Sequence, residues 1–271
     1  MNRMKKNMNK YKKMFSVKNL KIFVFGGCGL IGSEISKSLI ELEARVTVFD
    51  IQLNKNIKKN NFKFVKLSNS NIENIEKFFR NYLKFNECPD VFINASYPAT
   101  KDWKKNTFKE VTYRSYKKNI EIHLNSYVWL AKIVADQMKK NKVNGSIIQL
   151  SSMYGLVAQD GNLYKNTNIN ENMTYGIIKS SVIHFTKQLA SHYGKNNIRV
   201  NNVIIGGIRG HIKGSKLKQD LNFLKKFKKK VPLERMANAS EIVPGIIFLA
   251  SHSSSYITGS NLVIDGGYTI L

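Results

Sequence analysis

The sequence predicts an α/β protein, a doubly wound parallel sheet in three layers folded as a single domain. Three observations carry this. Short apolar runs rich in β-formers alternate with helical patterns from Leu20 to Ile264. The first two runs are joined by a glycine-rich turn and a helix, all within the span of one βαβ unit. The chain has 271 residues, 42% of them hydrophobic, enough to bury a substantial core.

The elements follow in order. Leu20–Phe25 is a short apolar run bounded by glycine and reads as a buried strand. The turn Gly26-Gly27-Cys28-Gly29-Leu30-Ile31-Gly32 follows, then a helix with Ile31, Ile35 and Leu39 on one face. Arg45–Phe49 is the second strand and ends at Asp50. Further strands are expected at Phe62–Leu67, Val91–Ile93, Ser146–Leu150, Arg199–Ile205 and Asn261–Ile264. Helices are expected at Ile72–Leu83, Ile120–Met138, Tyr175–Tyr193 and Glu241–Ala250. Residues 1–17 read as a basic, disordered extension, and residues 18–271 as the folded domain.

Two segments interrupt the alternation. Val157–Asn172 is a polar insertion between a strand and a helix. Residues 206–232 carry Gly206, Gly207, Gly210 and Gly214, then the basic run Lys225–Lys230. Glycines at the entry allow hinge motion, so this segment is expected to be a mobile lid; a solvated charged helix is the plainer alternative.

The composition excludes several classes. The chain has no apolar run long enough for a transmembrane helix, and its N-terminus lacks the apolar stretch of a signal peptide. Two cysteines make no disulfide framework, and the histidines at 123, 184, 192, 211 and 252 form no metal-ligand spacing. No metal is expected, and a reducing cytoplasmic location is. The net charge of +26 raises nucleic-acid binding as a reading. Lysine is spread along the whole chain, however, with no zinc finger, helix-turn-helix or RNA-binding signature. The charge therefore reads as compositional bias that can still attract an anionic substrate. No specific nucleic acid and no membrane is expected as a partner.

Gly26-x-x-Gly29-x-x-Gly32 lies between a strand and a helix, and Asp50 ends the next strand 18 residues beyond Gly32. That context predicts a dinucleotide site. The helix N-terminus takes the pyrophosphate, and the aspartate accepts from the adenosine ribose hydroxyls while repelling a 2′-phosphate. NAD is expected over NADP, although Lys55, Lys58 and Lys59 lie close by in sequence.

Tyr-x-x-x-Lys puts both side chains on one helical face. A phenol with pKa near 10 is a poor base at neutral pH, and a neighbouring ammonium lowers that value. The spacing occurs at Tyr97/Lys101, Tyr113/Lys117 and Tyr175/Lys179. Tyr97 precedes Pro98 in a turn, and Tyr113 lies in a polar approach to a helix. Tyr175/Lys179 opens an amphipathic helix and follows the strand-end serines Ser151 and Ser152, of which Ser152 can polarise a carbonyl.

Together these residues resemble the short-chain dehydrogenase/reductase family, in its single-domain, Rossmann-type branch, from about Lys18 to Leu271. The resemblance assigns Ser152, Tyr175 and Lys179 as the catalytic set. It implies cofactor contacts at Gly26, Gly29, Leu30, Ile31, Gly32, Asp50, Asn94, Ala95, Ser96, Tyr175, Lys179, Gly206 and Ile208. The segments Ile198–Val203, Pro232–Arg235 and Ile257–Gly267 are similar to the family's later signatures. There are departures. Leu30, Ser68 and Ile205 stand where the family usually has Gly, Asp and Pro. His123 stands where it often has an Asn that supports a proton relay; His123 as a replacement relay and His123 as a core residue both stay open.

Asn94–Pro98, Lys101–Trp103 and the 157–172 insertion resemble a subgroup near bacterial flagellin and surface-polysaccharide modification loci. That likeness implies an amino-sugar or nonulosonic-acid precursor as substrate. Lys213, Lys216, Lys218 and Lys225 would suit an anionic sugar. The expected activity is interconversion of a secondary alcohol and a ketone, in a homodimer or homotetramer. An NAD-retaining epimerase or dehydratase, and a non-catalytic RNA- or polysaccharide-binding protein, are the alternatives.

Overall fold

The computed structural model describes residues 10–54, 57, 62–67, 72–210 and 219–271. Seven strands form one parallel sheet: β1 (Lys21–Phe25), β2 (Arg45–Asp50), β3 (Phe62–Lys66), β4 (Val91–Asn94), β5 (Ser146–Ser152), β6 (Arg199–Ile205) and β7 (Asn261–Ile264). The spatial order is β3-β2-β1-β4-β5-β6-β7. The chain thus reverses its direction of travel beside β1, which pairs with both β2 and β4. In such sheets ligands bind beyond the carboxyl ends of the strands at this reversal.

The helices are α1 (Leu30–Glu41), α2 (Ile72–Phe85), α3 (Tyr113–Asn119), α4 (Asn125–Lys140), α5 (Gly161–Tyr164), α6 (Met173–Tyr193), α7 (Leu221–Lys229) and α8 (Val243–Ala250). The period-2 alternation of β1 divides the core between the two faces of the sheet. Ile22 and Val24 pack with Ile35 and Leu39 of α1 and with Ile246 and Leu249 of α8. Phe23 and Phe25 pack on the other face with Phe79 of α2, Leu130 and Val134 of α4, and Leu189 of α6.

Three expectations shift. The long middle helix starts earlier, as α3, because Thr112 caps it by accepting from the Ser115 amide. Its Ser115 and Asn119 face inward: the Asn119 side chain donates to Thr100 and to the Ser115 carbonyl, and Asn106 donates to the Ser115 hydroxyl. A π-helical turn, Ile120–Leu124, separates α3 from α4. Such turns inside helices are frequent at functional sites. At the N-terminus, residues 10–14 are helical, Phe15 lies against Phe248, and Val17 is buried in the core. The fold therefore takes in part of the segment expected to be disordered, because Val17 has apolar surface to bury. Residues 1–9 lie outside the described residues.

The expected lid is fastened where it is described. Asp220 caps α7 and also accepts from the Asn168 amide of the 157–172 insertion. Lys226 donates to the Asn162 and Lys165 carbonyls, and Lys230 pairs with Asp160. Phe223 and Phe227 of α7 join Leu163, Tyr164 and Tyr268 in a third apolar cluster. These contacts join the insertion and α7 into one substructure. Lys225 is exposed. Lys213, Gly214, Lys216 and Lys218, like Lys55, Lys58, Lys59, Ser68 and His211, lie outside the described residues.

Candidate active site

Ser152 is the last residue of β5, and its hydroxyl accepts from the Tyr154 amide. Tyr175 stands in the first turn of α6. Asn172 caps that helix, its Oδ1 accepting from the Tyr175 amide at 2.9 Å, while its Nδ2 donates to the Trp103 carbonyl at 3.1 Å. One turn further on, Lys179 is buried against β5, and its ammonium donates to the Leu150 carbonyl at 3.0 Å. The Lys179 carbonyl accepts from Ser151, which locks α6 to the strand. The ammonium lies 5.7 Å from the Tyr175 ring centroid.

Burial dominates the electrostatics. It pushes the Tyr175 phenol above its ordinary 10, with a hydrogen bond from Ser152 opposing the rise. It pushes Lys179 down to about 7. The Ser152 hydrogen bond thus favours the Tyr175 phenolate.

The other two Tyr-x-x-x-Lys pairs separate by position. Tyr113 and Lys117 lie on α3 but face solvent. Lys101 is exposed, yet Tyr97 reaches the site, its ring 5.8 Å from that of Tyr175. The Trp103 indole donates to the Tyr97 hydroxyl at 3.1 Å.

His123 is fully buried in the π-helical turn, enclosed by the rings of Tyr97, Trp103, Tyr127 and Tyr175 at centroid distances of 5.1 to 6.4 Å. Neither ring nitrogen has a hydrogen-bond partner among the described residues. Burial, reinforced by Lys179, holds its pKa well below 6.5, so the imidazole is neutral.

The glycine-rich turn forms a cradle at the carboxyl end of β1. Gly26 has φ +70°, and a Cβ there would come 2.5 Å from the Ser96 Cα. A Cβ on Gly32 would come 2.1 Å from the Gly26 carbonyl oxygen. Helix α1 starts at Leu30 with no side-chain cap. Its first amides, at Leu30, Ile31 and Gly32, are therefore the kind of free donors that bind a pyrophosphate. The Asp50 carboxylate accepts from the Cys28 and Ile51 amides at 2.8 and 2.7 Å, which sets it at the rim of the cradle. These residues fit a dinucleotide.

Asn94 ends β4. It is fully buried, and its side chain donates to the Ser126 carbonyl and accepts from the Ser96 hydroxyl. Its Oδ1 also accepts from the Ser96 amide, which shapes the loop of Ala95 and Ser96. Gly206 and Ile208 follow the carboxyl end of β6. The Gly206 amide is taken by the Ile264 carbonyl, and Ile208 bridges to Ala237.

Sequence reasoning missed Asn172 and Tyr127. Asn172 carried a readable signal, an Asn three residues before Tyr175 at a helix start. Tyr127 carried a weaker one, standing four residues after His123 on the same helical face.

Comparisons with known proteins decide the family. A family model described as enoyl-(acyl carrier protein) reductase matches residues 30–269. The chain is a short-chain dehydrogenase/reductase. Within that family of oxidoreductases it is 31% identical to the post-translational flagellin modification protein A of Campylobacter coli, over 93% of this chain and 99% of that one. It superposes with TM-score 0.82 on a short-chain dehydrogenase from Leptospira borgpetersenii solved with bound NAD+, at 30% identity and 94% coverage of each chain. A 4-hydroxyisoleucine dehydrogenase complexed with NADH matches at TM-score 0.76 and 29% identity, covering 93% of this chain and all of that one. Among the described residues, no helix of this short-chain dehydrogenase is long and apolar enough to cross a membrane.

Proposed function

We propose that this dehydrogenase interconverts a secondary alcohol and a ketone with NAD, acting on an anionic sugar derivative used in flagellin or surface-glycan modification. The observation that carries the chemistry is the convergence of Ser152, Tyr175 and Lys179 beside the glycine cradle. The dinucleotide would be held by Gly26, Gly29, Leu30, Ile31, Gly32 and Asp50, by the loop of Asn94, Ala95 and Ser96, by Tyr175 and Lys179, and by Gly206 and Ile208. When bound, it supplies the acceptor for hydride.

The protein's own groups handle the proton. The Ser152 hydroxyl holds the substrate oxygen. Tyr175, as phenolate, takes the proton of the substrate hydroxyl in the oxidative direction and returns it in the reductive one. A positive charge on Lys179 favours the phenolate. Support for NAD over NADP is the Asp50 carboxylate at the cradle rim, which would repel a 2′-phosphate. Support for the substrate class is the relationship to the flagellin modification protein over nearly the whole length of both chains.

The test is a panel of amino-sugars, nonulosonic acids and their phosphates, each with NAD and with NADP, followed by NADH or NADPH absorbance. Turnover of an acidic sugar with NAD supports the proposal. Preference for NADP overturns the cofactor assignment, and turnover confined to uncharged alcohols overturns the substrate class.

A further inference from the structure

Tyr127 is fully buried on α4 and uses every part of its side chain. Its hydroxyl donates to the Ser96 carbonyl at 2.8 Å, in the loop that follows β4. The Lys179 ammonium stands over its ring, 4.3 Å from the centroid. The His123 imidazole stacks with the same ring at 5.8 Å and 30° between planes.

The setting of Lys179 makes this contact matter. Tyr175 faces it from α6, His123 and Tyr127 from the helix beneath, and the Leu150 carbonyl from β5. Burial keeps Tyr175 and Tyr127 as neutral phenols and His123 as a neutral imidazole. None of the ion pairs among the described residues includes Lys179. A buried ammonium without a carboxylate depends on hydrogen-bond acceptors and on electron-rich ring faces to stay charged. A phenol that donates its proton to a carbonyl has a more electron-rich ring, so the Ser96 bond strengthens the contact with Lys179.

We propose that Tyr127 is a positioning residue, whose ring holds the Lys179 ammonium in place and charged while its hydroxyl secures the Ser96 carbonyl. One side chain thereby couples the proton-transferring pair to the loop at the carboxyl end of β4. The proposal rests on the reading of Tyr175 and Lys179 as that pair, but its test does not depend on turnover.

The test is a pH titration of the full chain labelled with 13C at lysine Cε, with the Lys179 resonance assigned through Lys179→Met. The parent midpoint is expected near 7. Tyr127→Leu removes the ring face and is expected to lower the midpoint by about half to one pH unit, whereas Tyr127→Phe leaves it within about 0.3 unit. Phenylalanines carrying one, two and three ring fluorines at position 127 keep the shape and withdraw ring electrons, so the midpoint should fall stepwise. That series decides the matter if Tyr127→Leu does not fold. A midpoint unchanged by either route overturns the role of Tyr127. Turnover that survives Tyr175→Phe would overturn the catalytic reading instead, so the two failures are distinct.

Discussion

The Oδ1 of Asn172 accepts from the Tyr175 amide at 2.9 Å, and its Nδ2 reaches the Trp103 carbonyl at 3.1 Å. One side chain therefore starts the helix that carries the phenol and ties it to the aromatic wall of the cleft. Asn172→Ala is expected to cost about 1 kcal/mol in urea denaturation, the usual worth of a helix cap. Turnover should fall further than stability alone explains, because Tyr175 and Trp103 lose their shared anchor. Unchanged turnover in a destabilised variant would confine Asn172 to capping.

Tyr175→Phe removes the hydroxyl and leaves the ring packing intact. Turnover should drop by about 10²- to 10⁴-fold, the range for a general acid–base group. NAD binding, followed by Trp fluorescence, should change by less than about threefold. Because burial holds the phenol above its ordinary value, oxidation should accelerate as pH rises through the neutral and alkaline range and reduction should be favoured below it.

The Asp50 carboxylate accepts from the Cys28 amide of the cradle and from the amide of its neighbour Ile51, and leaves lone pairs for a ligand. Asp50→Ala is expected to weaken NAD binding by about 10- to 100-fold, the worth of charged hydrogen bonds. NADP affinity should rise relative to NAD as the repulsion disappears. Calorimetric titration with both dinucleotides checks this, and an unchanged ratio would remove Asp50 from cofactor selection.

Lys179 is a stability cost at neutral pH. Its value lies near 7 in the folded chain against an ordinary 10.5. Below pH 7 the ammonium is buried at full penalty, and the penalty is relieved as pH rises from 7 toward 10.5, where the unfolded chain alone still binds the proton. Lys179→Met should therefore be more stable than the parent at pH 6 by about 1–4 kcal/mol while losing activity. The gap should narrow at pH 9. Equal urea midpoints at pH 6 would show that the Leu150 carbonyl and the Tyr127 ring offset the burial.

Asp220 ties α7 to the 157–172 insertion through Asn168 while capping its own helix. In Asp220→Ala, hydrogen exchange should quicken together at residues 161–168 and 221–229. Exchange confined to α7 would mean that the two segments move independently.

Much of this architecture was legible because it is local. The β1 run alternates between two apolar sets, and both faces of the sheet turned out to be covered. Helix α3 was missed because the segment around Tyr113 read as a polar approach to a helix, yet its Ser115 and Asn119 are buried and satisfied by Thr100 and Asn106. Such a network lies on segments that no periodicity relates. The bonds of the Asn94 side chain to Ser126 and Ser96 were not legible, because Ser126 lies on a distant helix.

The sequence by itself determined the strand–helix alternation, the glycine cradle and the one-turn spacing of Tyr175 and Lys179, because each is written in residues near one another on the chain. Tertiary structure decided which of three tyrosine–lysine pairs lies in the cleft, that Tyr97 joins it without its lysine, and that Lys179 rests on Tyr127. Those outcomes depend on strand order and on how α4 and α6 pack against β5. Contacts between distant segments exist only once the backbone has closed around them.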